Sequence, residues 1–174
     1  AIPGEGVAFV LQSDGAFQVG RGGSGLGYDG FQSGIAVEFD TRQNSDTDDP
    51  PQAHVAIHSI GSSSDSLSAK EKSNYNYVTS LPSLTNHTLA VKVVYQPPNV
   101  ALFLRHLDAL GAPLSSDVVG GPTLGDGDVT PVLTVSVGLL ADPYWAGFTA
   151  ATPIKSTGTR HVLRSWAMGL TGRR

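Results

Sequence analysis

The stretch "VEFDTRQNSDTDDPPQAHVAI", residues 37–57, sets two carboxylates two positions apart, then an Asn, an Asp-rich turn and a His. Strand residues i and i+2 point the same way, so Glu38 and Asp40 face one side together. Carboxylates that close repel each other unless a cation or a proton lies between them. Asn44, Asp49 and His54 follow, giving the spacing E-x-D-x3-N-x4-D-x4-H. Hard oxygen ligands suit Ca²⁺. An imidazole added to carboxylates suits Mn²⁺ or a similar transition ion. Two adjacent ions sharing Asp40 and Asp49 account for the crowding. The bland counterpart is a solvated acidic loop with one surface His, because Asp-rich loops are ordinary turn material.

The strands flanking this turn set a pattern that recurs along the chain. Residues 6–12, 34–40, 54–60, 88–95, 100–106, 132–137, 145–151 and 161–168 show alternation or short β-branched runs, and each is bounded by Gly, Pro, Asn, Asp or Ser. Eight such segments with no convincing helix predict an all-β, antiparallel sandwich. The glycine-rich residues 20–30 form a loop, since so many glycines would cost a strand too much entropy. Residues 61–73 form a polar loop, and residues 108–128 a long irregular insertion of the kind that often carries function. No repeat or linker divides the 174 residues, which suit one domain, 1–174, with one core.

Composition excludes several classes. The net charge of −4, with no basic stripe, argues against nucleic acid as a partner. The apolar runs are far shorter than a membrane span. With no cysteines there are no disulfides, and the redox compartment is not revealed. The chain starts at Ala1 with no signal peptide, which reads as a processed or trimmed N-terminus.

The segment "SGIAVEFDTRQN…DP…HVAIHS" resembles the metal-binding segment of the legume-type (L-type) lectins, which have a concanavalin A-like, jelly-roll sandwich. Four further stretches agree, in family order from Gly4 to Met168: "GEGVAFVLQ", the glycine loop "GGSGLGY", "PVLTVSV" and "WAGFTAAT…HVLRSWAM". The resemblance implies that Glu38 and His54 bind the transition metal and that Asp40 and Asp49 bridge both ions. It implies that Asn44 and the backbone carbonyl of Arg42 bind calcium. The metals are then not catalytic but fix the loops that hold sugar. Asn44 donates its amide to a sugar hydroxyl, a carboxylate from the first segment accepts from two hydroxyls, and an N–H of the glycine loop at Gly23 adds a donor. The loop of residues 152–160, with Gly158, Lys155 and Arg160, helps to set sugar choice. Rigid polar groups of this kind lose little entropy on binding.

The chain departs from the family in three places. The sugar-binding carboxylate, usually Asp, is here Glu5, whose oxygens reach about 1.5 Å further. In a site needing sub-ångström placement, that shift can abolish the usual sugar geometry. The aromatic that often stacks on the sugar face is here Arg42, which can stack or pair with anions without supplying an apolar platform. Family members also have strands before the first segment, and a sandwich lacking them exposes edges and apolar faces. Either the chain is a fragment of a longer protein or a second polypeptide completes the sandwich, and a partner chain, in an oligomer, is the expectation; the C-terminal "GRR" resembles a basic processing site or a solvated tail.

Remaining signals are weaker. Asn86 in "NHT" is an N-glycosylation acceptor and fits a secreted or extracellular protein. His58, His87, His106 and His161 read as ordinary surface or strand residues, Trp145 and Trp166 as core. Asp46 and Asp48 read as loop solvation or a water-mediated metal contact. The glycine loop lacks the Lys-Ser/Thr ending of a phosphate loop, and no helix follows it. Three function classes compete. The first is a non-catalytic, metal-dependent carbohydrate-binding domain. The second is a structural lectin-fold subunit with altered or lost sugar binding, packed against partner chains. The third is a glycosidase, since related glucanases carry E-x-D-x-x-E on one strand. Two carboxyls about 5 Å apart could perform retaining hydrolysis. Here the third carboxylate is replaced by Gln43, so the acid is missing.

Overall fold

Alternation in residues 34–40 builds a strand buried on both faces, and the rest of the molecule is arranged around it. A computed structural model describes residues 4–60, 66–71, 76–81, 83–111, 131–138, 140, 144–153 and 160–169. Its strands are β1 (Gly6–Gln12), β2 (Gly34–Asp40), β3 (His54–Ser59), β4 (Tyr77–Val78), β5 (Thr88–Gln96), β6 (Asn99–Leu107), β7 (Leu133–Ser136) and β8 (Trp145–Ala151). One sheet has the order β4-β3-β2-β1-β8 and the other β5-β6-β7. Every pairing is antiparallel. The expected all-β antiparallel sandwich is what forms.

Odd-numbered residues of β1, β2 and β3 face the second sheet. Ile35, Val37, Phe39, Val55 and Ile57 pack with Val100, Leu102 and Leu104 of β6 and with Val137. Each such buried side chain stabilises the fold by about 1.5–3 kcal/mol. Even-numbered residues face outward and are nevertheless covered. Ala8, Val10 and Ala36 lie beneath Leu26, Tyr28 and Phe31 of the glycine-rich loop and Leu67 and Ala69 of the segment 66–71. These two loops are stitched together, Gly30 N–H donating to the Leu67 carbonyl at 2.8 Å and Leu67 N–H to the Phe31 carbonyl at 2.6 Å. Gly20 is required where the glycine loop doubles back, because a Cβ there would lie 2.5 Å from the Asp29 carbonyl oxygen.

Three expectations need correction. Residues 161–168 alternate like a strand, yet pair with no other strand among the described residues, and Val162, Leu163, Trp166 and Met168 are exposed. Alternation supplies a face, but a ladder also needs a neighbouring backbone. Trp145 and Trp166 are not core residues: they are 37% and 54% exposed. Trp145 belongs to β8, at the edge of its sheet, and Trp166 sets its ring edge-on to Phe148 of the same strand, with centroids 5.8 Å apart. Finally, the two-residue strand β4 was not expected. Too short to show a period, it exists through its pairing with β3. Most of the insertion at residues 108–128 lies outside the described residues.

Candidate metal and ligand site

Register decides what the covered outer face contains. Glu38 lies opposite Ala56, Asp40 opposite His54, and Ala36 opposite His58. On its other side Glu38 faces Ala8 of β1. Two alanines therefore leave room around one buried carboxylate, and the two histidines sit on its diagonals, within reach for long side chains. His54 Nε2 and His58 Nε2 each lie 3.3 Å from Glu38 Oε1. Glu71, delivered by the segment 66–71, places Oε1 3.1 Å from His54 Nε2 and 3.4 Å from His58 Nε2. The Tyr28 hydroxyl donates to the other Glu38 oxygen, Oε2, at 2.5 Å. All of these side chains are buried.

Beyond β2, the chain forms a turn braced by its own acids. Arg42 N–H donates to Asp40 Oδ1 at 2.6 Å and Asn44 N–H to Asp49 Oδ2 at 2.8 Å. Asp49 N–H returns to the Asn44 carbonyl at 3.2 Å. Asp48 takes a left-handed backbone conformation, φ 60°, as Asp tolerates better than most residues. Glu71 N–H bonds the Thr47 carbonyl at 2.9 Å, so the segment carrying Glu71 is pinned to this turn. Of the residues expected to bind metal, Glu38, Asp40 and His54 bring ligand atoms within 4.8 Å of one another. Asn44 and Asp49 are joined in the adjoining turn, and Arg42 begins it.

The charge state of the cluster follows from burial. Burial pushes the Asp40 carboxyl up to about 8, with Glu38 and Asp49 adding repulsion against the bond from the Arg42 N–H. Asp49 is raised to about 6, again chiefly by burial. Burial works against charge on the imidazoles too, but Glu38 and Glu71 overcome it, raising His54 to about 10 and His58 to about 9. Glu38 is held below the usual carboxylate range: burial opposes this, and the charge of His58 with both imidazoles close to its carboxylate prevails.

The two departures from the family pattern meet in space. Arg42 Nη1 donates to Glu5 Oε1 at 3.1 Å. Glu5 Oε2 is buried with no hydrogen-bond partner among the described residues. Thr41 anchors this corner, its N–H donating to the Glu5 carbonyl at 2.9 Å and its hydroxyl to the Gly4 carbonyl at 2.8 Å. Gly6 is needed for close approach, since a Cβ would lie 2.4 Å from the Phe39 carbonyl oxygen. Gly23, φ 61°, opens a short 3-10 turn, Gly23–Gly25, in the glycine loop. That loop is clasped to the acidic turn after β2: Ser24 Oγ donates to Asp46 Oδ2 at 2.7 Å, and Arg21 pairs with both Asp46 and Asp29. Asp46 is thus a clasp between two loops, not simple loop solvation. A cavity of about 590 Å³ lies on the flank of the glycine loop, against Asp14, Gln18, Arg21, Asp29 and Gln32. Gly158 and Lys155 lie outside the described residues, and Arg160 is exposed. Asn86 is exposed in a turn before β5.

Sequence reasoning missed His58, Glu71 and Tyr28. His58 is not an ordinary surface or strand residue. It follows His54 by four positions on a strand, so both share one face, and antiparallel pairing with β2 aims them at Glu38. His106 is also buried, its Nε2–H donating to the Ser83 carbonyl at 2.7 Å. Glu71 and Tyr28 left no local signal, since both arrive from loops folded over the sheet.

The donor set fits divalent ions. Two buried carboxylates are driven toward proton uptake, the condition a cation relieves. Glu38 Oε1 and Asn44 Oδ1 are buried without a hydrogen-bond partner among the described residues. Carboxylates with an amide oxygen suit Ca²⁺, and carboxylates with imidazole suit a transition ion.

The legume lectin domain family matches residues 1–174. Among solved structures, a peanut lectin with a 9mer peptide superposes with a TM-score of 0.59 at 22% identity, covering 91% of this chain and 59% of that one. At that identity the likeness shows the fold, and this chain spans 59% of the peanut lectin's length. No curated protein matches the chain. No described helix is long and apolar enough to cross a membrane. With its two antiparallel sheets and its acid-and-histidine corner, the chain belongs to the legume lectin domain family, whose members are carbohydrate-binding and generally non-catalytic proteins.

Proposed function

We propose that this chain is a non-catalytic, metal-dependent carbohydrate-binding domain of a secreted or extracellular protein. One observation carries the reading: Glu38, Asp40 and His54 converge beside a turn in which the buried Asn44 Oδ1 has no hydrogen-bond partner among the described residues. Glu38 and His54 would hold Mn²⁺ or another divalent transition ion, with Asp40 and Asp49 shared with Ca²⁺. Asn44 Oδ1 and the Arg42 carbonyl complete the calcium ligands. The ions supply fixed positive charge that holds the turn rigid. The protein then presents the Asn44 amide N–H, the glycine loop at Gly23, Glu5 and, in the loop of residues 152–160, Gly158 to a sugar. Asn86 is proposed as an N-glycan acceptor, supported by its exposure. A glycan array with and without chelator tests the reading. Binding that disappears with the metals and returns with Ca²⁺ supports it; binding indifferent to chelator refutes the mechanism.

A second reading is favoured by the ion pair between Arg42 and Glu5, which engages the oxygen a sugar hydroxyl would need. The domain would then be a lectin-fold subunit that packs against partner chains in an oligomer. The exposed Trp145 and Phe148 on edge strand β8 support such packing. Arg42→Phe decides between the two. Glycan binding that rises in the variant shows a site restrained by the pair, whereas a silent array for both proteins, with a solution mass above that of one chain, favours the subunit.

A further inference from the structure

The family's transition-metal position uses one histidine, and this chain brings a second histidine and a further carboxylate to it. We propose that Glu38, His54, His58 and Glu71 form a two-imidazole, two-carboxylate site for a borderline transition ion of the zinc class. The assignment shares Glu38 and His54 with the metal-dependent reading above and adds two ligands which that reading does not use.

Geometry is the first support. The four ligand atoms form a ring of contacts of 3.3, 3.3, 3.1 and 3.4 Å. Ligands about 2.1 Å from a shared ion lie about 3.0 Å apart at right angles and about 3.4 Å apart at the tetrahedral angle. The second support is how the atoms are aimed. Glu38 Oε1 and His58 Nε2, though 3.3 Å apart, make no aligned hydrogen bond, and each is buried without a hydrogen-bond partner among the described residues. They converge on shared space more than on each other. No side chain of the four is more than 4% exposed, so water does not satisfy them.

Chemistry selects the ion. Two neutral imidazoles with two carboxylates favour Zn²⁺, and likewise Co²⁺ or Ni²⁺, over Mn²⁺ and Ca²⁺. A divalent ion balances the two carboxylates without protonating either histidine. The alternative occupant is a pair of imidazolium–carboxylate bridges, which would bear the desolvation cost of four buried charges. The Tyr28 hydroxyl takes Glu38 Oε2 and so orients Oε1 inward, the outer support that metal ligands commonly have.

The test uses the full chain with Zn²⁺ alone, then with Ca²⁺ also present. X-ray absorption on the zinc-loaded protein should count two imidazoles per ion. Titration calorimetry should show zinc affinity falling by at least about tenfold in both His58→Gln and Glu71→Gln, each compared by circular dichroism with the parent. One imidazole per ion, equal affinity in folded variants, or no zinc uptake overturns the proposal; the last leaves the four residues as an ion-pair cluster. The imidazole count on the unmutated chain decides the matter if a variant fails to fold. A silent glycan array beside an intact two-imidazole site would count against the lectin reading alone. A metal-dependent array signal with one imidazole would count against this proposal alone.

Discussion

The two faces of β2 and β3 are equally buried and chemically opposite. Toward the second sheet stand Ile35, Val37, Phe39, Val55 and Ile57; beneath the glycine loop stand Ala36, Glu38, Asp40, His54 and His58. The first face is complete once β6 covers it, because apolar contact is non-directional and asks only for area. The second is covered just as thoroughly, and holds the ion pairs of Glu38 and Glu71 with His54 and His58 beside two carboxyls, Asp40 and Asp49, that burial drives toward proton uptake. Burying charge is expensive, and in the proposed reading divalent ions stabilise this face.

Metal removal is the largest way to break the comparison. Two ions, each at about a thousandfold excess over Kd, contribute about 8 kcal/mol together. Chelation should lower Tm by on the order of 20 °C, measured by calorimetry with and without EDTA. A shift of only a few degrees would mean that the polar face supports itself.

Next in size, Leu102→Ala on the apolar face should cost about 2–5 kcal/mol. Because Leu102 lies on the opposite sheet, that cost should be the same in chelated and metal-loaded protein, within about 0.5 kcal/mol. Denaturant melts in both states check it. A cost that depends on metal would show the two faces to be mechanically coupled.

A subtler contrast is in pH. Asp40 and Asp49, at about 8 and about 6, stand above the ordinary aspartate value of 3.8. The metal-free fold therefore binds more protons than the unfolded chain across that window, and loses stability as pH rises through it. His54 and His58, raised above 6.5 to about 10 and about 9, act in the same direction, their contribution fading toward those values. Glu38, held low, keeps its contribution throughout, and Glu71 and Tyr28 are the other ionisable groups facing the cluster. Chelated protein should lose Tm from about pH 5.5 to about pH 9. Loaded protein should behave oppositely, because protons displace metal from its ligands as pH falls. Parallel slopes in the two states would remove the ions from the account.

The smallest effect should come from Asp46→Ala. Its bonds to Arg21 and Ser24 are largely exposed, so stability should change by less than about 1 kcal/mol. The clasp joins the glycine loop to the acidic turn after β2, so on the proposed lectin reading glycan affinity should fall more than stability does, as seen by comparing titration with melting.

Much of this was written locally. Seven of the strands announce themselves by alternation or β-branched runs between turn residues, and Glu38, Asp40 and His54 by their spacing around one turn. The false strand at residues 161–168 obeys the same local rule and fails for lack of a neighbour. His58 was within reach of strand periodicity, once its pairing with β2 was considered. Glu71 and Tyr28 were not, because nothing in a chain tells which loop residue will fold back over which strand position. Glu5 and Arg42 each stood out as departures, but their pairing appears only when Thr41 fastens the start of β1 to the end of β2.

By itself, the sequence determined the strand periods, the family and the acid-and-histidine turn, since these depend on side chains two to six positions apart. The tertiary structure decided which of those groups meet. Register set Glu38 between two histidines and opposite an alanine, and two loops closed over it with Tyr28 and Glu71. Long-range packing chose that arrangement, and it turned an acidic strand into a buried four-ligand cluster.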